Sequence, residues 1–150
     1  MVRSPSRMPT QGTARVLLVE DEILILMALA LHLQSAGFDV IEAHGSSDAF
    51  QILQSRARLD LMVTDVNMPG PMNGIDLVDQ ARKLRPEMKV IMASAKDYRS
   101  EAEVRNVSFF AKPYAVKAVA SEITRLLQEP APTRDGAQFA KRANPKVNLD

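Results

Sequence analysis

Short apolar runs alternate with longer segments of helical pattern through the central part of the chain, and this alternation constrains the fold most strongly. A strand that is apolar at nearly every position is buried on both faces, which is typical of a parallel sheet covered by helices. The pattern therefore predicts an α/β protein with a five-stranded, parallel, doubly wound sheet. The five predicted strands are RVLLVE (15–20), FDVIEA (38–43), LDLMVTD (59–65), KVIMAS (89–94) and VSFFA (107–111).

Five helices are predicted between and after these strands, and most of them have a clear apolar periodicity. The exception is DYRSEAEVRN (97–106), which is polar and weakly periodic, so we expect the fourth helix to be short or irregular. The other helical segments are 22–37, 47–56, 74–84 and 114–128.

Both ends of the 150-residue chain lack such periodicity. Residues 1–13 and 129–150 are mostly polar and contain prolines, which predicts a disordered N-terminal extension and a flexible C-terminal tail. The length between them suits one domain, predicted to cover residues 14–128. The tail is too short to form an output domain of its own.

Composition and charge exclude several classes of partner and site. A net charge of +1 gives no field that favours nucleic acid or an anionic membrane, and the lack of cysteine excludes disulfides and thiolate metal sites. The longest apolar run, ILILMALAL (23–31), is too short to span a bilayer, and the basic, polar N-terminus is not a secretory signal. We therefore expect a cytoplasmic protein without nucleic-acid or membrane partners.

Polar side chains stand at the carboxyl ends of the predicted strands: Glu20 and Asp21, Asp65, Ser94 and Lys112. In open parallel sheets, ligands bind beyond these ends, where the strand order switches. Three carboxylates brought together either raise one another's pKa or share a cation, and Mg²⁺ accepts such oxygen ligands. The sequence therefore predicts a Mg²⁺ site at this edge of the sheet.

Taken in order, the motifs VEDE (19–22), TDVNMPG (64–70), Ser94-Ala95 and FFAKPY (109–114) resemble the receiver domain of two-component response regulators. The resemblance covers roughly residues 14–128, and the chain is similar to the stand-alone, chemotaxis-regulator-like type. It implies a flavodoxin-like fold, which agrees with the strand and helix pattern.

The resemblance also implies a role for each matching residue. Asp65 would be the phosphoacceptor, Lys112 would pair with the phosphoryl oxygens, and Ser94 would be the switch hydroxyl. Phe109 would occupy the aromatic switch position. The implied Mg²⁺ ligands are Glu20, Asp21, Asp65 and the backbone carbonyl of Asn67.

The expected function is that of a single-domain response regulator. A histidine kinase or a histidine phosphotransfer protein would phosphorylate Asp65 in the presence of Mg²⁺, and the signal would leave by contact with a downstream protein. A carboxylate suits this role because it is ionised at neutral pH, and phosphoryl transfer depends on positioning and charge neutralisation. Since its only chemistry would be its own phosphorylation and dephosphorylation, we do not expect a conventional enzyme.

Two alternative functions are weighed against this interpretation. One is a receiver-like binding module that acts without phosphorylation, although the complete set of polar strand-end residues argues against it. The other is an aspartyl-phosphate phosphatase of the haloacid dehalogenase type. The motif typical of those enzymes is D-x-D-x-T after a strand, whereas in this chain Asn67 stands two residues after Asp65.

Two features depart from the usual receiver pattern. The loop MPGPMNG (68–74) is one residue longer than the usual MP-x-M-x-G, and the segment between Ser94 and Lys112 is short. Asn67 and Lys96 each lie two residues after a predicted site residue, and we hypothesise that they set the lifetime of the phosphorylated state.

The first predicted helix is more apolar than a helix covering one sheet face requires. Between Ile23 and Leu33 only His32 is polar, so some apolar side chains should face outward. These residues could form a surface for a partner or for a homodimer. The candidates for the outward-facing residues are Leu24, Leu26, Ala30 and Leu33.

Overall fold

The computed structural model describes residues 14–131, in which the predicted strands and helices follow one another in the predicted order. The strands are β1 (Arg15–Val19), β2 (Asp39–Ala43), β3 (Leu61–Asp65), β4 (Lys89–Ser94) and β5 (Ser108–Ala111). The helices are α1 (Ile23–Ser35), α2 (Ser46–Gln54), α3 (Gly74–Leu84), α4 (Arg99–Val104) and α5 (Val116–Leu127).

The strands form one parallel sheet in the order β2-β1-β3-β4-β5, which confirms the predicted fold class. The register aligns Val19 with Thr64 across β1 and β3, and Ser94 with Ala111 across β4 and β5. The carboxyl ends of these four strands therefore lie at one edge. The chain order reverses between β1 and β3, which is where a ligand crevice opens in such sheets.

Helices cover both faces of the sheet. One apolar cluster joins the sheet to α2, α3 and α4, and a second joins the opposite face to α1 and α5. All residues of β3 are buried because this central strand has a neighbour on each side and helices on both faces. This burial explains why β3 is apolar at Leu61, Met62 and Val63 before it ends on Thr64 and Asp65.

The outward-facing residues of α1 differ from those predicted. Leu24 is exposed, as predicted, but Leu26, Ala30 and Leu33 are buried, because they point at the sheet and at α5. The large apolar residues of this helix that are exposed are Ile23, Leu24, Met27 and Leu31, with exposed fractions of 49%, 77%, 50% and 62%. They form an apolar stripe on α1 that begins beside the carboxyl edge of the sheet.

The fourth helix is short, as predicted, with six residues in α4. Its end is attached to α3, since the guanidinium group of Arg105 donates hydrogen bonds of 2.8 and 3.1 Å to the carboxylate of Asp79. The Arg82 side chain also donates to the backbone carbonyl of Arg105 at 2.8 Å. Val104, at 82% exposure, faces away from the core.

The predicted disordered extension (1–13) and most of the predicted tail lie outside the described residues. The described start of the tail is attached to the sheet, because Lys89 Nζ donates to the carbonyls of Leu126, Glu129 and Pro130 at 2.8, 3.0 and 2.8 Å. No helix within residues 14–131 has the length and apolar character that crossing a membrane requires.

Candidate functional site

The three carboxylates predicted at the strand ends lie together in the structure. Asp65 is the last residue of β3 and is 7% exposed, and Glu20 directly follows β1 and is 6% exposed. Asp21, the next residue, is exposed at the rim. One oxygen from each of these side chains lies within 4.8 Å of the others. They form a compact oxygen cluster, which we call the acidic pocket.

Lys112 closes one side of the acidic pocket. It follows β5, and its backbone N–H donates to the carbonyl of Ser94 at 2.9 Å, which fixes the start of the side chain. Its Nζ donates to Glu20 Oε1 at 2.7 Å and lies 3.4 Å from Asp65 Oδ1. Glu22 Oε1 lies 3.8 Å from the same Nζ, a contact that was not predicted from the sequence.

The charges in the acidic pocket are not balanced by protein groups alone. Burial and the neighbouring charge of Glu20 raise the pKa of Asp65 to about 6, although Lys112 opposes the rise. Burial lowers the pKa of Lys112, but its hydrogen bond to Glu20 and the charge of Asp65 outweigh burial and raise it above its usual value. The acidic pocket therefore contains the three carboxylates of Glu20, Asp21 and Asp65 beside the single ammonium group of Lys112. An additional cation would stabilise the ionised form of Asp65.

The donor set of the acidic pocket fits Mg²⁺, which prefers carboxylate oxygens and retains several waters. Glu20, Asp21 and Asp65 supply the carboxylates, with no histidine or cysteine that would favour a softer metal. The backbone carbonyl of Asn67 as a further ligand stays a prediction.

Ser94 is the last residue of β4 and is fully buried. Its Oγ accepts hydrogen bonds from the backbone N–H of Lys96 at 3.0 Å and from Asn67 Nδ2 at 3.2 Å. Asn67 Oδ1 in turn accepts from the hydroxyl of Tyr98 at 3.0 Å. Tyr98 was not predicted as a site residue, because only the folding of the loop after β4 brings it to Asn67. The sequence signal was an aromatic hydroxyl four residues after Ser94.

Phe109 lies half-buried on β5, opposite Met92 of β4, and packs on the α4 side of the sheet. The guanidinium carbon of Arg99, the first residue of α4, lies 5.9 Å from the centre of its ring, within the range of a cation–π contact. The predicted switch role of Phe109 stays a prediction, and this contact connects that position to α4.

The long loop after Asp65 returns to the strand it left. The N–H of Gly74 donates to the carbonyl of Val66 at 2.7 Å, so α3 begins directly against the end of β3. A capping box between Asn73 and Asp76 fixes this start, with Asn73 Oδ1 accepting from the Asp76 N–H at 2.9 Å. The end of β3 at Asp65 is thereby held against the first turn of α3.

Residues 16–127 match the family model described as "Response regulator receiver domain". Among curated proteins, the sensor kinase CckA of Brucella abortus is 35% identical over 125 residues, which cover 79% of this chain and 13% of that kinase. The response regulator receiver protein CpdR of the same organism is 30% identical over 118 residues, covering 75% of this chain and 96% of CpdR.

Solved structures agree with these sequence matches. The receiver domain of the hybrid histidine kinase CckA superposes with a TM-score of 0.67 at 31% identity, covering 77% of this chain and all of that domain. The regulator TrrA of Thermotoga maritima, solved in complex with Mg²⁺ and BeF, gives a TM-score of 0.68 at 26% identity, covering 75% of this chain and 98% of TrrA.

The chain spans only a small part of several relatives, for example 28% of the transcriptional regulatory protein GlrR of Escherichia coli. In contrast, it spans 96% of CpdR. In this chain the family match, residues 16–127, includes the helices and the acidic pocket. Receiver domains bind Mg²⁺ at an acidic site and interact with histidine kinases or phosphotransfer proteins. From the extent of the family match and the fold, the chain belongs to the response regulator receiver domain family.

Proposed function

We propose that this protein is a single-domain response regulator of a two-component phosphorelay. It is phosphorylated on Asp65 from a phosphohistidine with Mg²⁺ in the acidic pocket, and it signals in the cytoplasm by binding a downstream protein. The observation that carries the proposal is the convergence of three carboxylates and Lys112 on the end of β3. Its own phosphorylation and dephosphorylation are the only reactions that we propose it catalyses.

In the proposed reaction, a carboxylate oxygen of Asp65 attacks the phosphorus of a phosphohistidine. An O–P bond forms and the P–N bond breaks, with the electron pair returning to the imidazole nitrogen, which takes up a proton from solvent. Mg²⁺, when bound, supplies positive charge that offsets the charge on the phosphoryl oxygens. In this proposal Lys112, whose Nζ lies 3.4 Å from Asp65 Oδ1, pairs with one phosphoryl oxygen, and Ser94 donates to another.

The proposed Mg²⁺ site is tested with beryllofluoride, a mimic of the phosphoryl group. Wild-type protein is expected to bind it only when Mg²⁺ is present, with a change in its NMR spectrum. The variant Asp21→Asn is expected to weaken this Mg²⁺-dependent binding at least tenfold, because it removes one carboxylate ligand. Asp48→Asn, the same chemical change at an exposed residue of α2, is the matched control.

Wild-type protein that gives no spectral change with Mg²⁺ and beryllofluoride would contradict the proposed function. That outcome would favour a binding module that acts without phosphorylation.

We also propose that the phosphodonor protein, a histidine kinase or phosphotransfer protein, docks on the apolar stripe of α1. The stripe begins at Ile23, two residues after Asp21, so a partner seated on it would have its reactive group close to the acidic pocket. Burial of exposed leucine and methionine side chains would supply binding energy of about 1 to 2 kcal/mol for each residue.

The variant Leu24→Glu tests this docking surface. It is expected to slow phosphoryl transfer from the partner protein about tenfold or more, because a charge would be buried at the interface. Phosphorylation by a small donor such as acetyl phosphate should be unchanged. Val104→Glu, which also introduces a glutamate at an exposed apolar residue but on α4, is the control.

Equal losses with the protein donor and with the small donor would contradict docking on α1. The alternative occupant of the stripe is a second copy of this chain, which sedimentation at high concentration would detect as a dimer that Leu24→Glu dissociates.

A further inference from the structure

Tyr98 is joined to the acidic edge of the sheet by a chain of side-chain hydrogen bonds. Its hydroxyl donates to Asn67 Oδ1 at 3.0 Å, and Asn67 Nδ2 donates to Ser94 Oγ at 3.2 Å. The Tyr98 ring is half-buried against the core on the α4 side and immediately precedes Arg99, where α4 begins. Packing of the ring therefore limits the positions that the hydroxyl can take, whereas Asn67 itself is exposed.

The hydrogen-bonding inventory of Ser94 explains what this chain of bonds does. A serine hydroxyl has two lone pairs and one hydrogen. The N–H of Lys96 can only donate, and it occupies one lone pair at 3.0 Å, while Asn67 Nδ2 occupies the other. The hydroxyl hydrogen of Ser94 is then left to donate to a new acceptor.

The opposite orientation of the Asn67 carboxamide would remove this donor. If the amide were turned over, Oδ1 would face Ser94 Oγ and accept its only hydrogen. The Tyr98 hydroxyl can donate or accept, so it can bond to either end of the amide. Here it donates to Oδ1 at 3.0 Å, which satisfies this oxygen in the one orientation that leaves the Ser94 hydrogen for a phosphoryl group.

We infer that Tyr98 is a positioning residue that fixes the amide of Asn67 so that the Ser94 hydroxyl can donate its hydrogen to the phosphoryl group on Asp65. The inference rests on the proposed function, since it requires a phosphoryl group at Asp65. It adds a residue outside the strand ends to the phosphorylation site, acting through Asn67 and Ser94 without touching the phosphoryl group.

The variant Tyr98→Phe tests the inference, because it removes the hydroxyl and keeps the ring. We expect the affinity for beryllofluoride in the presence of Mg²⁺ to fall roughly three- to tenfold, the share of one hydrogen bond to a charged group. Fluorine NMR of the bound complex should show a shift of the one fluorine resonance that reports donation from Ser94. Ser94→Ala should give the same shift, and thermal unfolding of Tyr98→Phe should stay close to that of wild type.

The Ser94→Ala background separates positioning from a merely structural role. In that background Tyr98→Phe should cause no further loss of affinity, since the hydroxyl that it positions is absent. A wild-type affinity and fluorine spectrum in Tyr98→Phe would overturn the inference, and so would an equal loss in the presence and absence of Ser94. If wild-type protein binds no beryllofluoride, the proposed function and this inference both fail. If wild-type protein binds beryllofluoride and Tyr98→Phe binds it equally well, only the inference about Tyr98 fails.

Discussion

Replacing Asp65 with asparagine is expected to abolish phosphorylation and, at the same time, to raise the free energy of unfolding at pH 7 in the absence of Mg²⁺. The first effect follows because an amide is not a nucleophile of carboxylate strength and cannot form the acyl phosphate. The second follows because Asp65 is buried beside Glu20, which raises its pKa to about 6. Radiolabel from acetyl phosphate measures the first effect, and urea unfolding measures the second.

The sign of the stability effect follows from the two pKa values of Asp65. The folded protein holds the proton with a pKa of about 6, and the unfolded chain has the ordinary value of 3.8. Since the folded state binds the proton more tightly, wild-type stability falls as the pH rises from about 4 to about 6, and the cost remains above that range. The difference corresponds to about 3 kcal/mol at most. Asparagine cannot ionise, so the variant does not lose this stability.

The advantage of Asp65→Asn should therefore disappear as the pH is lowered towards 4. It should also shrink when Mg²⁺ is added, because the cation stabilises the wild-type carboxylate cluster through binding to the folded state. Asp48→Asn, on the exposed surface of α2, should show neither effect. Phosphorylation of Asp65→Asn to the wild-type level would refute Asp65 as the acceptor. A variant less stable than wild type at pH 7 would refute the account of its electrostatics.

Replacing Gly74 with alanine is expected to lower the free energy of unfolding by about 3 kcal/mol or more, because the added methyl group has no space. A Cβ at this position would lie 2.1 Å from the carbonyl oxygen of Asp65 and 2.7 Å from the Cα of Val66. Both contacts are with backbone, which cannot rotate away as a side chain can. Relief of the overlap requires α3 to move away from the end of β3, so the acidic pocket should also lose affinity for Mg²⁺.

Gly45 offers a matched control for this substitution. A Cβ there would have no atom within 4 Å, so Gly45→Ala should change the free energy of unfolding by less than about 1 kcal/mol. Chemical unfolding of the two variants and wild type, with Mg²⁺ titration of the folded proteins, makes the comparison. Equal stabilities of Gly74→Ala and Gly45→Ala would contradict the close packing of α3 on β3.

Much of the acidic pocket was predictable because it depends on the ends of strands. An apolar run that stops at Asp65 identifies the end of a buried strand, and parallel strands bring such ends to one edge. Glu20, Asp21 and Lys112 could therefore be assigned to the same edge without coordinates. The distances among them, and the raised pKa of Asp65, depend on the burial and register of the folded sheet.

The outward face of α1 could not be predicted from its residues. Since the helix is apolar on almost every side, its sequence contains no polar stripe to mark the solvent-facing side. The sheet and α5 decide which residues are buried, and they cover Leu26, Ala30 and Leu33. Met27 and Leu31 are left outside for the same reason.

The sequence by itself determined the fold class, the short fourth helix and the strand-end residues of the acidic pocket, because these follow from periodicity and from the order of elements along the chain. The tertiary structure alone decided the strand order, the exposed face of α1 and the contact between Tyr98 and Asn67. The physical reason is that hydrogen bonds between residues 31 positions apart, and burial by distant helices, arise from packing between elements that no local pattern records.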